Sequence, residues 1–381
     1  MKKKRILIIC LLIPIILVIG TFIGIAAPLI LSYNNNAYEK VDIVERTHEY
    51  VEPETDPQPS ELANITLAAD DVGKDITQSE TLANSINSLG GSSSQKGPDN
   101  SFSRSKNAVN VYGKTPIYKV EKKNDDIENI LILGTDTRDV TVERGRSDAI
   151  IILSYNKKTG SIKMTSILRD SLVPIEGHKW NRINAAYSFD GVGLAINTVN
   201  RLFDLDIQRF VVIDFSGTKE FIDKVGGVDV ELTQAEADYF NRTGVMGNYP
   251  VSAGTFHLNG PRALAYMRTR KLDSDFGRTA RQRKVIELLA NKIVKEKSFS
   301  QIYSLTDYAF TLVKTNISLA ELTGVVASVA SNAAGGALNL QSQHIPYDNS
   351  YSYKYYNGMA IISFDIDDAS QRLNKFIYGE S

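Results

Sequence analysis

From Val120 onward the apolar positions fall into short runs, ENILILG, DAIIILSY, SIKMTSIL and RFVVIDF, separated by turns and by longer segments of helical period. The runs are rich in β-branched residues and do not alternate cleanly, which predicts strands buried on both faces. Between and after them, Asn184–Phe203, Gly217–Val225 and Arg278–Lys295 carry the i, i+3, i+4 spacing of helices. This succession predicts an α/β domain over 120–381, a central, mostly buried mixed sheet flanked by helices in an α-β-α arrangement. Its length, about 260 residues, is at the upper end for one domain. Gly226 and Gly227 predict a turn between a helix and a strand, and Met359–Phe364 with Ala369–Ile377 a closing strand and helix.

The texture upstream is different. After MKKKR the chain carries no charge from Ile6 to Leu31, long enough to cross a bilayer, which takes about 20 apolar residues. Lys2, Lys3, Lys4 and Arg5 predict a tail, 1–5, held in the cytoplasm and export of all that follows. A cleaved signal peptide is the competing reading, since Gly24, Ala26 and Ala27 are small, but the apolar run is long for one and favours an uncleaved signal-anchor over 6–31. The segment 32–119 is poor in apolar periodicity and rich in Asn, Ser, Asp and Gly, which predicts a low-complexity spacer. A small accessory domain around Leu62–Leu89 is the alternative.

Composition removes several classes of chemistry. Cys10 is the only cysteine and lies within the apolar run, so the exported part has neither disulfide nor thiol. His48, His178, His257 and His344 lack zinc-ligand spacing. The net charge of −1 and the absence of a basic domain argue against a nucleic-acid partner.

What remains is an arginine-rich stretch, Ala263–Lys284, with Arg268, Arg270, Arg278, Arg281 and Arg283 beside Asp273 and Asp275. Arginine suits phosphate because its planar fork stays charged and grips two oxygens at once. On a helix from Arg278, the side chains of Arg278 and Gln282 continue the inward stripe of Val285, Leu289 and Ile293, Arg281 sits near its edge and Arg283 points to solvent. A buried arginine needs a partner, and an anion is the simplest. If Met267–Arg270 is extended, Arg268 and Arg270 share one face. Asp275 then lies in the turn before the helix, where it can cap the helix or take part in chemistry.

Acidic residues complete the picture. Asp136 follows the strand LILGT and Asp148 opens DAIIIL, and an antiparallel pairing would bring both to one sheet edge. Two carboxylates beside phosphate oxygens suit Mg²⁺. Arg146 and Arg169 stand at strand ends, and Lys179, Arg182 and Asn184 form a further polar cluster. GTDTRD lacks the P-loop spacing.

The ordered motifs ILGTDTRD, GRSDAIIIL, SILRDS, RINAAY, GGVDV and YMRTRKLDSDFGRTARQRKV resemble the LytR-CpsA-Psr family of membrane-anchored cell-wall ligases. The resemblance implies that Asp136 and Asp148 are Mg²⁺ ligands, that Arg146, Arg169, Arg268, Arg270, Arg278 and Gln282 hold a pyrophosphate, and that Asp275, Arg268 and Arg278 are the catalytic group. It further implies transfer of a glycopolymer phosphate from a polyprenyl pyrophosphate carrier to a peptidoglycan hydroxyl. A non-catalytic membrane-anchored lipid sensor and a hydrolase of the lipid donor are the alternatives for the same pocket.

Overall fold

The computed structural model describes residues 113–136, 145–247, 249–296, 299–318, 321 and 339–379, together with 34, 38, 42–47, 50 and 62–64. The charge-free run Ile6–Leu31 lies outside these residues, and among the described ones no helix is long and apolar enough to cross a membrane.

The central sheet contains β1 (Ile127–Thr135), β2 (Ser147–Asn156), β3 (Ile162–Ile167), β4 (Arg209–Asp214), β5 (Val313–Thr315) and β6 (Leu340–Ile345), in the spatial order β5-β4-β1-β2-β3-β6. It is mixed. β1 runs parallel to β4, β3 parallel to β6, and the other neighbours are antiparallel. As the unalternating apolar runs predict, β1 and β2 are buried on both faces.

On one face Leu131, Leu133, Ile150 and Ile152 pack with α1 (Asn184–Phe203) and with the C-terminal helix, Ile366–Tyr378. Helix α1 matches its predicted span, with a kink where Asp190 and Gly191 leave helical geometry. Asp190 accepts hydrogen bonds from the backbone of Lys114 and Thr115 at 2.8 and 2.7 Å, and so docks the entering chain on the helix. On the other face lie α2 (Phe215–Val225), α3 (Gln234–Thr243), α4 (Gly260–Arg268), α5 (Ser274–Glu296) and α6 (Phe299–Leu312). Helices α2 to α5 and the antiparallel strands Val228–Leu232 and Gly254–Leu258 share a second apolar core, including Ile222, Val230, Phe240, Tyr266 and Val285. Gly226 and Gly227 form the predicted turn, both at positive φ, and a Cβ on Gly227 would meet the His257 ring at 2.5 Å.

Three local expectations are corrected. Met267 and Arg268 are helical rather than extended, because Asn259 caps α4 and Pro261 starts it, carrying the helix through to Arg268. Helix α5 begins at Ser274, four residues before Arg278, so Asp275 lies in its first turn. Arg283 is only 7% exposed, because α5 is covered on more than the single side that the Val285 stripe marks.

The segment expected to be a spacer contributes strands. Ile43–Val44 pairs in parallel with Ile117–Tyr118, Ile117 is wholly buried in the first core, and Leu62–Asn64 pairs with Tyr351–Tyr356. That last strand and Met359–Phe364 form the C-terminal hairpin, in which Tyr356 is buried against Leu172 and Ile361.

Candidate functional site at one end of the sheet

Strand order brings the acidic residues together. Because β2 runs antiparallel to β1, with Thr135 opposite Ser147, Asp136 just past the end of β1 and Asp148 near the start of β2 lie at the same sheet edge. The Asp136 amide reaches back to the Arg146 carbonyl at 3.5 Å. β3 ends at this edge too, delivering Arg169, and β4 ends at Asp214, level with Thr135.

Around this edge guanidinium and carboxylate groups alternate. Arg169 Nη1 donates to Asp148 Oδ1 at 2.6 Å, while Arg270 Nη2 approaches Asp148 Oδ2 at 3.5 Å. Arg278 Nη2 donates to Asp275 Oδ2 at 2.8 Å. The other Asp275 oxygen faces Arg270 at 3.9 Å and Arg169 at 4.0 Å, so this carboxylate joins the helix to the sheet. Arg268 lies over the Phe215 ring and reaches Asp136 at 3.5 Å. Arg182, which the sequence offers only as part of a polar cluster, donates to Asp170 at 3.0 Å, and Asp170 in turn faces Arg169.

Burial makes these charges consequential. Asp148 is 8% exposed; burial works to raise its pKa, but Arg169, Arg278 and Arg270 outweigh it and hold the carboxylate below its ordinary value. For Arg169, burial opposes the charge, and Asp170, Asp148 and Asp275 together raise its pKa. Arg278, 2% exposed, goes the other way, down to about 10, through burial foremost, with Arg169 and Arg270 adding to the effect and Asp275 opposing it. Arg146 is lowered by desolvation and by the neighbouring Arg182 and Arg169. Arg278 is a cation short of counter-charge.

Unused hydrogen-bonding atoms tell the same story. The Nε–H donors of Arg169, Arg182 and Arg278 are buried without an acceptor, and the Gln282 Oε1, itself an acceptor, is buried without a donor. Such atoms are costly to leave unpaired, and here they cluster around one edge of the sheet. All the residues expected to hold an anion are therefore brought to this end of the molecule, Gln282 one turn beyond Arg278 on the same helix.

Arg281 and Arg283 have other roles. Arg281 grips Asp273 with both Nη atoms, at 2.7 and 2.8 Å, and donates to the Thr269 carbonyl at 2.6 Å. It clamps the turn that carries Arg268, Arg270 and Asp275. The sequence hints at this only in retrospect, through the eight-residue spacing of Asp273 and Arg281 across the turn. Arg283 has Nε and Nη1 buried and unpartnered, and burial alone lowers its pKa to about 10. Ser274, just before Asp275, holds φ at 90°, a left-handed conformation that favours glycine. Phe276 stacks on Tyr351, ring centroids 4.5 Å apart, and so braces the start of α5 against the C-terminal hairpin.

Among the described residues no group of three or more His, Cys, Asp or Glu side chains is placed to hold a metal by protein ligands alone. Asp136 and Asp148 are two hard oxygen donors at one edge, and Asp148 Oδ2 has only the 3.5 Å contact to Arg270. That set fits a Mg²⁺ that takes its remaining ligands from phosphate and water.

The chain is 36% identical over 231 residues to the polyisoprenyl-teichoic acid–peptidoglycan teichoic acid transferase TagU of Oceanobacillus iheyensis, covering 58% of this chain and 68% of that one. Against the TagT transferase of Bacillus subtilis it is 34% identical over 212 residues, covering 54% and 65% of the two chains. The crystal structure of B. subtilis TagV superposes with a TM-score of 0.55 at 26% identity, over 68% of this chain and 100% of that one. The same fold recurs in YwtF (TagT) with bound octaprenyl pyrophosphate lipid, at a TM-score of 0.52 and 22% identity, over 70% and 97% of the chains. The LytR_cpsA_psr family model matches residues 92–374, most of the sequence and every element that builds the charged edge, and the chain therefore belongs to the LytR-CpsA-Psr family.

Proposed function

We propose that this chain is a membrane-anchored phosphotransferase that moves a glycopolymer phosphate from a polyprenyl pyrophosphate carrier to a hydroxyl of peptidoglycan. The observation that carries the reading is a charge imbalance. Among the described residues, six guanidinium groups, of Arg146, Arg169, Arg182, Arg268, Arg270 and Arg278, interact at this edge with four carboxylates, of Asp136, Asp148, Asp170 and Asp275, leaving two positive charges in excess within this network. A pyrophosphate diester carries two negative charges at neutral pH. The TagU and TagT relatives are named as transferases of teichoic acid from polyisoprenyl-teichoic acid to peptidoglycan, which supports the reading.

The chemistry asks for alignment and charge neutralisation more than covalent help. Arg169 and Arg278, deeply buried, hold the pyrophosphate with their Nε–H donors, which lack a partner within the chain, while Arg268 and Arg270, on the turn, close over it. The acceptor oxygen attacks the glycan-bearing phosphorus, the bond to the bridging oxygen breaks, and polyprenyl phosphate leaves with that electron pair. Asp275, held by Arg278 and facing Arg270 and Arg169, receives the acceptor's proton. A Mg²⁺ held by Asp136 and Asp148 would neutralise charge on the phosphate oxygens. Gln282 offers its amide to a phosphate oxygen.

The charge-free run Ile6–Leu31 after four basic residues supports a single span, with the N-terminus in the cytoplasm and the site outside the cell membrane. The test supplies the full chain in detergent with Mg²⁺, a lipid-pyrophosphate-linked glycan and peptidoglycan fragments, and reads products by mass spectrometry. Glycan joined to the fragment through a phosphodiester is the expected product. Free glycan phosphate would make the protein a hydrolase of the donor, and bound but unreacted donor would make it a sensor.

A further inference from the structure

Tyr38 forms an isolated parallel bridge with Thr315 on the edge strand β5. β5 lies antiparallel to β4, with Val313 opposite Ile213 and Thr315 opposite Val211, and β4 runs toward the cleft to finish at Asp214. β5 therefore runs away from the cleft, and the chain through Tyr38, being parallel to it, does the same. At Tyr38 the chain direction is therefore from the cleft end toward the far end.

The connection from the charge-free run to Tyr38 is short. The charge-free run ends at Leu31, and Tyr38 is seven residues on. A chain covers at most ~3.3–3.6 Å per residue, so this connection reaches at most about 25 Å. The described residues that follow are attached to the domain: Lys119 N donates to the Val44 carbonyl at 2.8 Å, and Arg46 holds Glu176, one of its two bonds measuring 3.0 Å, while lying 4.1 Å over the Tyr118 ring. Leu62–Asn64 then adds to the C-terminal hairpin. The low-complexity stretch 65–112 thus joins two docked points, Asn64 and Gly113, and is not on the path between membrane and domain.

Resting on the proposed membrane span, the geometry points to a strap, Tyr38 with Asp42–Arg46, that holds Tyr38, three residues in from the cleft end of the sheet, within about 25 Å of the bilayer, so that the cleft opens on the lipid headgroups. The occupant of this face is the membrane surface, not a second copy of the chain. The arrangement suits a donor whose pyrophosphate sits at headgroup level, because a site carried on a long spacer would be diluted over the volume that the spacer sweeps. It also reassigns the stretch 65–112, which sets no distance from the membrane.

The test uses the full chain in liposomes carrying an acceptor dye on the lipid headgroups. In a Cys10→Ser background a donor dye is placed either at Ser216→Cys, exposed beside the cleft end of β4, or at Lys158→Cys, exposed in the turn between β2 and β3 at the other end. The nine residues of β1 separate these ends by about 30 Å. Energy transfer from position 216 should be several-fold more efficient than from 158. Inserting about twenty Gly-Ser residues between Asn36 and Ala37 should abolish that difference, whereas deleting Asn84–Ser103 should leave both signals unchanged. Equal transfer from the two positions, stronger transfer from 158, or a loss on deleting 84–103 would overturn the orientation alone. Failure of the chain to float with the vesicles would overturn the membrane span and this inference together. Transfer between two chains labelled at 216, independent of lipid, would show a second copy on this face and refute the assignment to membrane.

Discussion

At the end of the sheet remote from the cleft, Asn129 donates from Nδ2 to Asp206 Oδ1 at 2.6 Å and to the Tyr378 hydroxyl at 2.8 Å, and its Oδ1 accepts from Ser154 at 2.6 Å. The second Asp206 oxygen accepts from the Lys123 amide at 2.9 Å. This cluster is closed, every group being answered from within the chain. At the cleft end the Nε–H donors of Arg169, Arg182 and Arg278 are buried with no acceptor. Both clusters are buried and polar, yet only the open one is short of acceptors and in excess of positive charge. A complete network fixes a fold; an incomplete one of a single sign specifies a ligand.

The sharpest way to break this comparison is to remove a fork from each end. Arg278→Ala should lower transfer by about 10³-fold, since two lost charge-assisted bonds are worth ~1.5–3 kcal/mol each and 1.36 kcal/mol is a decade. Circular dichroism should still report the fold. Arg278→Lys, which keeps the charge and loses the fork, should fall between the variant and the parent. If Arg278→Ala transfers at the parental rate, the open cluster is not the anion site.

Asp206→Ala attacks the closed cluster. It leaves the Asn129 amide and the Lys123 N–H without their acceptor, and should cost about 2–4 kcal/mol in denaturant unfolding while the rate per folded molecule stays the same. A smaller effect of opposite sign is expected from Arg283→Met. Removing an unpartnered buried guanidinium while keeping its volume should stabilise the chain by about 1 kcal/mol. Arg372→Ala, which breaks an exposed pair with Asp368 and a stack 3.7 Å over the Tyr347 ring, should lower stability by less than about 1 kcal/mol and leave the rate unchanged.

The pH dependence sharpens the contrast further. The folded state holds Asp148 below its ordinary pKa of 3.8, so the stabilisation from this group is complete above that value and is lost as the pH falls through the lower, folded one. Unfolding followed on the acid side should lose part of its pH slope in Asp148→Asn. A slope unchanged by the substitution would show that Arg169 and Arg270 do not stabilise the ionised carboxylate.

How much of this can be read from the residues depends on the length of the signal. Helix α1 is long and periodic, and its predicted span holds to the residue. The antiparallel placement of Asp136 and Asp148 follows from two strong apolar runs close in sequence. The first turn of α5 was harder, because Ser274–Gly277 is polar or flexible by composition and its helical start rests on a left-handed Ser274 braced by the turn before it. Arg283 shows another limit. The angular arithmetic places it off the Val285 stripe, but sequence does not say how many sides of a helix are covered. Strands of two or three residues, such as Ile43–Val44 and Leu62–Asn64, have no period at all and are set only by partners far along the chain.

The two apolar cores have a consequence for stability. One, built on the sheet with α1 and the C-terminal helix, delivers Asp136, Asp148 and Arg169; the other, built on α2 to α5, delivers Arg268, Arg270, Asp275 and Arg278. What bridges them at the charged edge is three long contacts of opposite charge, Asp136 to Arg268 and Asp148 to Arg270 at 3.5 Å and Asp275 to Arg169 at 4.0 Å, with arginines in excess around them. An anion seated there acts as mortar between two separately packed walls, and its affinity is repaid as resistance to melting: at a hundredfold excess over its dissociation constant, about 2.7 kcal/mol. Substrate supply would then govern how long the enzyme lasts as well as how fast it works.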